Sequence, residues 1–486
     1  RAGARRPRTD FPRRAVLSSD PLLQAFDRLA AARPEALLVA GLRHRATVRE
    51  VDRAAAALAG RLAAERWHEG TLVGLAAANG PAFLAGYLAL RRSRLAPVLL
   101  DATSPLAAHH TTLAGLGAAG LLAAAGGWEL AAAGWRLERL GPSEPVAVAP
   151  EVGAVKLTSG STGHPRGILV GTEALLADDA QLTAVMGLSA ADRMVAAVPL
   201  SHSYGFASLA LPALVRGALL LAAEETSPLA PVRLAALGEA TFLPTVPAFL
   251  AAMARLAEPP PLPASLRLVV SAGAPLPGEV SAAFRERCGR AVHVFYGASE
   301  GGGIAYDRAG GAAERGTVGE PVPGVAIEMD AESGRLAVRS PAVADGYLPD
   351  PSPELGRGRF LTGDLAAWQE GEVALLGRAD DLVIVKGKKV NPREVERFLS
   401  DLPGVREAAV LGTPAPGGAG TILGAVVAAP EGGVDCAAVT GFCRGRLADH
   451  KVPRAVAVVA ELPRTARGKL DRPALLALLG AAPAAP

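Results

Sequence analysis

The chain has 486 residues, of which 50% are hydrophobic and 20% are charged, and its formal net charge is +3. This composition supports folded cores, and a prior of about 100–200 residues per domain predicts two or three units. The net charge is small, and no dense basic tract is interleaved with aromatic residues, which argues against nucleic-acid binding. We therefore expect a folded, soluble protein.

Cysteine usage and hydropathy indicate the compartment. Cys288, Cys436 and Cys443 are odd in number and lack CxxC spacing, so we expect reduced thiols and a cytoplasmic protein. The basic segment 1–14 has no apolar run behind it and resembles neither a signal peptide nor an anchor. The uncharged stretch 194–215 is interrupted by prolines, so no membrane span is predicted.

The N-terminal part alternates helical and β-rich patterns. The predicted elements, in order, are a helix over 22–32, a strand over 36–39, a helix over 48–65, a strand over 71–77 and a helix from Pro81 to 93. This order is typical of βαβ units and predicts a mostly parallel sheet covered by helices. Residues 112–140 are rich in alanine, leucine and glycine, and we expect packing helices there.

The segment Leu157–Gly167, LTSGSTGHPRG, lies between two apolar β-rich runs, and we predict a strand, a loop and a second strand. Its glycines let the backbone approach an anion, and Arg166 adds a fixed positive charge. A Walker loop would need lysine followed by serine or threonine and would open directly into a helix, so P-loop enzymes are a minor alternative. A flexible turn has the same composition, and that alternative stays open.

Two later segments carry candidate substrate contacts. VAAVPLSHSYGF places His202, Tyr204 and Phe206 between an apolar strand and an apolar helix, as in the wall of a pocket for an organic acid. The alternative for His202 is a buried histidine bonded to a backbone carbonyl. LRLVVSAGAPLP is predicted to be a buried strand ending in small residues, where backbone can approach a flat ring.

HVFYGASEGGG has the same pattern of a predicted strand that ends in small residues, and it also contains an acidic side chain. A strand brings Tyr296 and Glu300 beside small residues, including Gly297 and Ala298, at one edge of the sheet. The Glu300 carboxylate is suited to magnesium, a hard cation that prefers oxygen ligands and shares them with phosphates. A glycine-rich surface loop is the alternative.

The C-terminal part begins after two further turns. FLTGDLA places Asp364 in a turn, where a carboxylate can accept hydrogen bonds from two vicinal hydroxyl groups, although Gly-Asp is also ordinary turn chemistry. GRADDLVIVKGKKVNPREVERFL marks a domain boundary, with Asn391 capping a helix. Short strands and helices follow and predict a small α+β lid. LPRTARGKLDR then places Lys469 before the final helix.

Five segments in this order resemble the motifs of the adenylate-forming superfamily, which contains acyl- and aryl-CoA ligases, peptide-synthetase adenylation domains and luciferases. The segments are LTSGSTGHPRG, FYGASEGG, FLTGDL, GRADDLVIVKGKKVNPREVE and LPRTARGKLDR. The resemblance implies an α/β fold with a large N-terminal domain, residues 1–379, that binds ATP and a carboxylic acid. It also implies a mobile C-terminal lid, residues 380–486.

The resemblance assigns roles residue by residue. The implied ATP contacts are Thr158, Ser159, Gly160, Ser161, Thr162, Gly163, Arg166 and Gly167 at the phosphates, Gly273, Ala274, Pro275 and Tyr296 at adenine, and Asp364 and Arg378 at the ribose. Glu300 matches the magnesium ligand and Asp380 matches the hinge. Lys469 matches the lysine that bridges the attacking carboxylate and the α-phosphate of ATP.

The chain departs from the superfamily pattern at three positions. Arg166 stands where lysine is usual and Ser299 where threonine is usual, and both keep a donor. Ile384 stands where lysine is frequent, which weakens any inference about thiol contacts there. PLSHSYGF also lacks the aspartate with which amino-acid-activating members meet the substrate's amino group, so an α-amino acid is disfavoured.

The resemblance leaves several functions to compare. The leading interpretation is a ligase that activates a fatty or aromatic carboxylic acid as its acyl-AMP, releases pyrophosphate and passes the acyl group to coenzyme A. The alternative acceptor is the phosphopantetheine thiol of a carrier protein. A luciferase-like oxygenase would share every motif. A non-catalytic nucleotide-binding relative is disfavoured because Lys469 and Glu300 are both present.

Overall fold

The computed structural model describes residues 20–141, 145–159, 165–224, 227–385, 388–414, 421–429, 433–464 and 470–481. The chain divides into two compact units. The first comprises Arg1–Glu328, Ala337–Leu361 and Gln369–Val373, and the second comprises Met329–Leu336, Thr362–Trp368 and Ala374–Pro486. The boundary between residues 379 and 380 that the resemblance implies stays a prediction.

The helices follow one another along the whole chain. In chain order they are α1 (Pro21–Ala32), α2 (Val48–Ala63), α3 (Pro81–Arg92), α4 (Leu106–Leu116), α5 (Thr172–Met186), α6 (Ser203–Gly205), α7 (Leu211–Arg216), α8 (Ala230–Leu237), α9 (Pro247–Arg255), α10 (Gly278–Cys288), α11 (Ala312–Arg315), α12 (Pro392–Ser400), α13 (Cys436–Cys443) and α14 (Arg472–Ala481). A π-helical segment, Phe206–Ala210, joins α6 to α7.

The strands of the first half are β1 (Leu37–Ala40), β2 (Arg45–Thr47), β3 (Leu72–Ala76), β4 (Ala96–Leu100), β5 (Gly120–Ala124), β6 (Trp135–Arg139), β7 (Val152–Ser159), β8 (Pro165–Gly171), β9 (Arg193–Val195), β10 (Leu219–Leu221), β11 (Phe242–Thr245), β12 (Leu268–Ser271) and β13 (His293–Ala298). Those of the second half are β14 (Gly302–Tyr306), β15 (Glu320–Pro321), β16 (Ala326–Met329), β17 (Arg335–Arg339), β18 (Gly346–Leu348), β19 (Leu355–Gly356), β20 (Arg359–Gln369), β21 (Glu372–Arg378), β22 (Val383–Val385), β23 (Lys388–Val390), β24 (Glu407–Pro414), β25 (Thr421–Ala428) and β26 (Ala455–Val459).

Two large sheets build the first unit. One has the strand order β15-β14-β13-β12-β11-β9-β10-β1-β2, and the other has the order β18-β8-β7-β4-β3-β5-β6. Strands β3 and β4 are buried along their whole length, as expected of parallel strands covered on both faces. The predicted βαβ organisation is therefore confirmed, including the helix that begins at Pro81.

The region 112–140 differs from the sequence-based expectation. Helix α4 ends at Leu116, and two antiparallel strands, β5 and β6, follow it. The prediction of helices there was wrong beyond residue 116. Local alanine content favours helix, but β5 pairs with the buried strand β3, and tertiary burial outweighs the local propensity.

Helix α3 anchors the strand that leads into the glycine-rich segment. The Tyr87 hydroxyl donates to the Gly153 carbonyl at 3.1 Å, and Arg91 Nη1 donates to the Val152 carbonyl at 2.6 Å. The buried Arg91 guanidinium also forms an ion pair of 2.7 Å with Asp20. Strand β7 has a register irregularity between Val152 and Ala154, and these two side chains bind the backbone at that point.

The second unit is smaller and has its own cores. Its sheet has the order β24-β25-β26, and β22 and β23 form a hairpin. Asn391 caps α12 by accepting from the Arg393 amide at 3.1 Å, as predicted. Together with α13 and α14 these elements make the predicted small α+β domain, so the expected α/β fold class is confirmed.

Candidate active site

The glycine-rich segment is held by a β-hairpin in the first unit. Strands β7 and β8 pair antiparallel, with Leu157 opposite Gly167 and Thr158 opposite Arg166, so the predicted strands on both sides of the loop are confirmed. Four predicted phosphate contacts, at positions 160–163, lie outside the described residues, as does the Ser159 side chain. Of the predicted set, Thr158, Arg166 and Gly167 are placed by the structure.

Arg166 is held by residues that are distant in sequence. Its guanidinium carbon lies 3.8 Å from the centroid of the Tyr347 ring, and its Nη2 donates to the Asp350 carbonyl at 2.9 Å. A planar guanidinium can stack on an aromatic face and still donate in its own plane, which an ammonium group cannot do. The arginine at this position is therefore matched to its surroundings.

Glu300 lies just after β13, and two contacts hold it. Its Oε1 accepts a hydrogen bond from the Tyr347 hydroxyl at 3.0 Å, and its backbone carbonyl accepts from the Ala344 amide at 2.8 Å. The neighbouring Ser299 hydroxyl accepts from the Ser203 hydroxyl at 2.7 Å. Glu300 and Arg166, predicted from separate motifs, are thus joined through one tyrosine.

A buried charge pair lies near this group. Lys156 and Asp178 are 2% and 3% exposed, respectively. Burial lowers the pKa of Lys156, and the negative charges of Asp178 and Glu300 oppose that effect. Burial raises the pKa of Asp178, while the Lys156 charge and a hydrogen bond from the Gly303 amide oppose it. Buried, mutually perturbed groups of this kind are frequent at functional sites.

The predicted adenine contacts follow two neighbouring parallel strands. Strand β12 pairs with β13, with Ser271 opposite Val294, so Gly273 and Tyr296 lie at the same edge of the sheet. Gly273 has φ +82°, and a Cβ atom added there would meet no heavy atom within 4 Å. The glycine is therefore needed for its backbone conformation. Ala274 and Pro275, which follow it, are exposed.

The residues predicted to contact the substrate acid fall into two groups, one exposed and one buried. His202 is exposed, and its Nε2 lies 3.6 Å from Oδ2 of Asp101, so the alternative of a buried histidine does not hold. Phe206, in contrast, is fully buried and packs edge-on against Phe83 and Tyr87. It therefore forms part of the core of the unit beneath His202.

Gly297 and Ala298, the other predicted acid contacts, end strand β13. A Cβ atom on Gly297 would lie 2.8 Å from the Gly302 carbonyl oxygen, so packing of the backbone alone accounts for this glycine. Tyr204 belongs to the same segment as His202 and Phe206. Its hydroxyl donates to the Val270 carbonyl at 3.0 Å, and its ring lies 5.6 Å from that of Phe295.

The predicted ribose contacts lie together in the second unit. Arg378 Nη1 is 3.5 Å from Oδ1 of Asp364, and the two residues belong to the paired strands β21 and β20. The Asp364 amide donates to the Thr362 hydroxyl at 3.0 Å, which holds the turn. The two ribose assignments are therefore neighbours in space, and their role in nucleotide binding stays a prediction.

Asp380 and Lys469 are the two remaining catalytic assignments. Asp380 lies in a 3-10 turn, Ala379–Asp381, but its side chain lies outside the described part of the chain, as does Lys469. The adjacent Asp381 forms an ion pair of 3.0 Å with Arg472. The hinge role of Asp380 and the catalytic role of Lys469 therefore stay predictions.

The donor set around Glu300 is compatible with a substrate-bound magnesium ion. Among the residues that the structure describes, no cluster of three or more histidine, cysteine, aspartate or glutamate side chains forms a metal site. Magnesium is commonly held by one or two carboxylates together with substrate phosphates, so a single glutamate beside a phosphate loop fits this group.

The sequence-based reasoning missed Tyr347, Lys156 and Asp178. Lys156 did carry a signal, since it is the only lysine before position 386 and interrupts an apolar strand. Tyr347 and Asp178 carried no such signal in the sequence, because their contacts join segments distant in sequence.

No helix within the described ranges is both long and apolar enough to cross a lipid bilayer.

Comparisons with known proteins agree with these observations. A sequence model described as "AMP-binding enzyme" matches residues 26–348, and one described as "AMP-binding enzyme C-terminal domain" matches residues 394–469. Sulfoacetate–CoA ligase of Cupriavidus necator is 31% identical over 66% of this chain and 65% of its own length. Feruloyl-CoA synthase of an Amycolatopsis species is 30% identical over 74% of this chain and 76% of its own length.

Solved structures support the same assignment. The amide bond synthetase McbA of Marinactinospora thermotolerans is 26% identical, with a TM-score of 0.79 and coverage of 94% of this chain and 99% of that one. The chain spans just under two thirds of the Cupriavidus ligase. The family match covers more than half of the chain and includes both Arg166 and Glu300. The chain therefore belongs to the AMP-binding enzyme family, within the adenylate-forming superfamily.

Proposed function

We propose that this protein is an AMP-forming acid–thiol ligase that activates a carboxylic acid with ATP and transfers the acyl group to coenzyme A. In the first step a carboxylate oxygen attacks the α-phosphate, acyl-AMP forms and pyrophosphate leaves. In the second step the thiol attacks the acyl carbon, the thioester forms and AMP leaves. The observation that carries the proposal is the joining of Arg166 and Glu300 through Tyr347 next to the glycine-rich hairpin.

The chemistry of the first step explains why such a group is needed. A carboxylate is repelled by the phosphates that it attacks, so the step requires concentrated positive charge and exact positioning of both reactants. Arg166 supplies one charge beside the hairpin, and we assign Lys469 to the bridge between the attacking carboxylate and the α-phosphate. Thr158 and the glycine-rich loop would embrace the phosphates through hydroxyl and amide groups.

Magnesium belongs to this proposal as the ion that Glu300 would hold. When bound, it would neutralise charge on the phosphates of ATP. Glu300 would supply an oxygen ligand whose position the Tyr347 hydroxyl helps to hold. The ribose would be bound by Asp364 and Arg378, and adenine would lie between the backbone of Gly273 to Pro275 and the Tyr296 ring.

The names of the relatives favour coenzyme A as the acceptor of the acyl group. The Cupriavidus and Amycolatopsis relatives are named as a CoA ligase and a CoA synthase. None of the three relatives described above is named for a carrier protein, and we do not favour that acceptor. McbA is named as an amide bond synthetase, so an amine is the acceptor against which coenzyme A has to be tested.

We assign the acid to the fatty or aromatic class. The ring of Tyr204, two residues after His202 in sequence, lies 5.6 Å from that of Phe295, and PLSHSYGF provides no aspartate to meet an α-amino group. The named acids of the relatives range from sulfoacetate to ferulate, so their names do not determine the acid used here. His202 is the polar side chain that we expect to distinguish among acids.

Two further assignments complete the proposal. Residues 1–379 would bind ATP and the acid, and residues 380–486 would form a lid that turns about Asp380 so that the thiol can enter after pyrophosphate leaves. A cytoplasmic location agrees with the three free thiols of the chain and with a coenzyme A substrate.

The proposal is tested by measuring pyrophosphate release with ATP and magnesium across fatty, aromatic and amino acids, and by identifying products by mass. Acid-dependent release with an acyl-CoA product would support the ligase. An amide formed from added amines, with no acyl-CoA, would replace the acceptor. A phosphopantetheinylated carrier acylated in place of coenzyme A would do the same. Oxygen uptake with synthetic acyl-AMP would indicate oxygenase chemistry.

A further inference from the structure

Strand β18 connects the glycine-rich hairpin to Glu300. It pairs antiparallel with β8, with Tyr347 opposite Ile168, and β8 pairs in turn with β7, with Ile168 opposite Lys156. Directly opposed residues share one face of a sheet, so these three side chains form a row across three strands. Arg166 lies two residues before Ile168 on β8 and therefore projects from the same face.

Tyr347 uses both parts of its side chain from this position. The ring packs against the Arg166 guanidinium at 3.8 Å, and the hydroxyl donates to Oε1 of Glu300 at 3.0 Å. The residue is only 7% exposed, so its conformation is restricted by packing. The segment before it donates the Ala344 amide to the Glu300 carbonyl. One short strand thus holds the backbone and the side chain of Glu300 and contacts Arg166.

We propose that Tyr347 is a positioning residue that sets the distance and orientation between Arg166 and the Glu300 carboxylate, and so aligns the phosphate-binding charge with the magnesium ligand. The inference rests on the proposed function, because both groups would act on the same ATP phosphates. Tyr347 itself contacts neither acid nor thiol in this scheme. Its effect is therefore confined to the first half-reaction, which forms acyl-AMP and pyrophosphate.

The two contacts of Tyr347 can be separated by substitution. Tyr347→Phe keeps the ring over Arg166 and removes the hydrogen bond to Glu300, whereas Tyr347→Leu removes both. A hydrogen bond to a charged group is worth about 10- to 100-fold in an equilibrium. We expect Tyr347→Phe to weaken binding of the metal by about 10-fold or more while the KM for ATP stays near that of the wild type. Tyr347→Leu should raise the KM for ATP as well.

Metal binding is measured without turnover, by electron paramagnetic resonance of Mn²⁺ in the presence of a non-hydrolysable ATP analogue. Turnover is measured as magnesium-dependent pyrophosphate release, and the second half-reaction as thioester formation from synthetic acyl-AMP. Tyr306→Phe is the matched control, since Tyr306 is also a buried tyrosine, 2% exposed against 7% for Tyr347, and its ring stacks on His293. We expect the control to match the wild type in all three assays.

A double-mutant cycle tests whether Tyr347 acts through Glu300. In the Glu300→Ala background, Tyr347→Phe should have little further effect on Mn²⁺ affinity, because the acceptor of its hydrogen bond is gone. Unchanged Mn²⁺ affinity in Tyr347→Phe would overturn the inference, as would equal losses in both half-reactions. An equal loss with and without Glu300 would also overturn it. Failure of the wild type to release pyrophosphate would instead refute the proposed function, and the Mn²⁺ assay would still decide this inference.

Discussion

Asp364 and Arg378 lie on paired strands with 3.5 Å between Oδ1 of the aspartate and Nη1 of the arginine. Two motifs separated by thirteen residues in sequence therefore present a carboxylate and a guanidinium at one place. A carboxylate in this position can accept from both vicinal hydroxyl groups of a ribose.

Replacing Asp364 by asparagine should therefore weaken ATP binding. The amide has one acceptor oxygen and no charge, so we expect the KM for ATP to rise by about 10-fold, with a smaller change in kcat. The control is Asp330→Asn, an aspartate that holds a turn in the same unit by accepting from the Ser333 amide at 2.9 Å. An unchanged KM for ATP in Asp364→Asn would contradict the ribose assignment.

Replacing Lys469 by alanine should separate the two half-reactions. The lysine is assigned to charge developing at the α-phosphate, so acid-dependent pyrophosphate release should fall by about 100- to 1,000-fold. Thioester formation from synthetic acyl-AMP should be nearly unaffected. Lys451→Ala is the matched control, because Lys451 forms a surface ion pair of 2.5 Å with Glu394. Equal loss of both half-reactions in Lys469→Ala would remove its assigned role.

Replacing His202 by alanine should change the preference among acids. The side chain is exposed, and its Nε2 lies 3.6 Å from Oδ2 of Asp101, so it presents a polar group that a bound acid can contact. We expect the ratio of kcat/KM between two acids that differ by one ring substituent to shift by about 10-fold or more. The exposed His68 provides the control. An identical acid profile in His202→Ala would return this residue to a structural role.

Acid sensitivity should depend in part on Glu224. Burial by itself raises the pKa of this carboxyl group, but hydrogen bonds from Arg43 and His44 outweigh burial and lower the pKa from 4.5 to about 2. Because the pKa of Glu224 is lower in the folded state, its ionised carboxylate stabilises the fold fully above pH 4.5. This stabilisation is lost as the pH falls towards about 2.

The Glu224→Gln variant tests this pH dependence. At neutral pH it should unfold with a free energy about 1–2 kcal/mol lower than that of the wild type, and the difference should shrink as the pH falls through that window. Urea denaturation at several pH values measures it. Glu35→Gln removes a carboxylate that is 73% exposed and should change stability little. A pH-independent difference for Glu224→Gln would contradict the assigned pKa.

The architecture could be predicted from the sequence because local patterns of apolar and polar residues determine most of its helices and strands. Alternation of apolar strands with amphipathic helices predicted the parallel sheet, and Pro81 and Asn391 marked helix starts that the structure contains. The strands β5 and β6 were missed because alanine-rich composition hides β-propensity, and their pairing with buried neighbours decides the conformation.

The candidate site was predicted only in part. Arg166, Glu300 and Asp364 stand in recognisable motifs, and their separate chemical roles could be inferred from residue type. Tyr347 could not be found in this way, because its hydrogen bond to Glu300 spans 47 residues and depends on the pairing of β18 with β8. The burial of Phe206 likewise depends on Phe83 and Tyr87, which belong to a distant helix.

Isotope transfer distinguishes attack of the acid on the α-phosphate of ATP from attack elsewhere on the nucleotide. An acid that the enzyme turns over is labelled with ¹⁸O at both carboxylate oxygens and is incubated with ATP, magnesium and coenzyme A. We expect the AMP product to carry one ¹⁸O atom and pyrophosphate to carry none. Label in inorganic phosphate with formation of ADP, or unlabelled AMP, would show that the acid does not attack the α-phosphate.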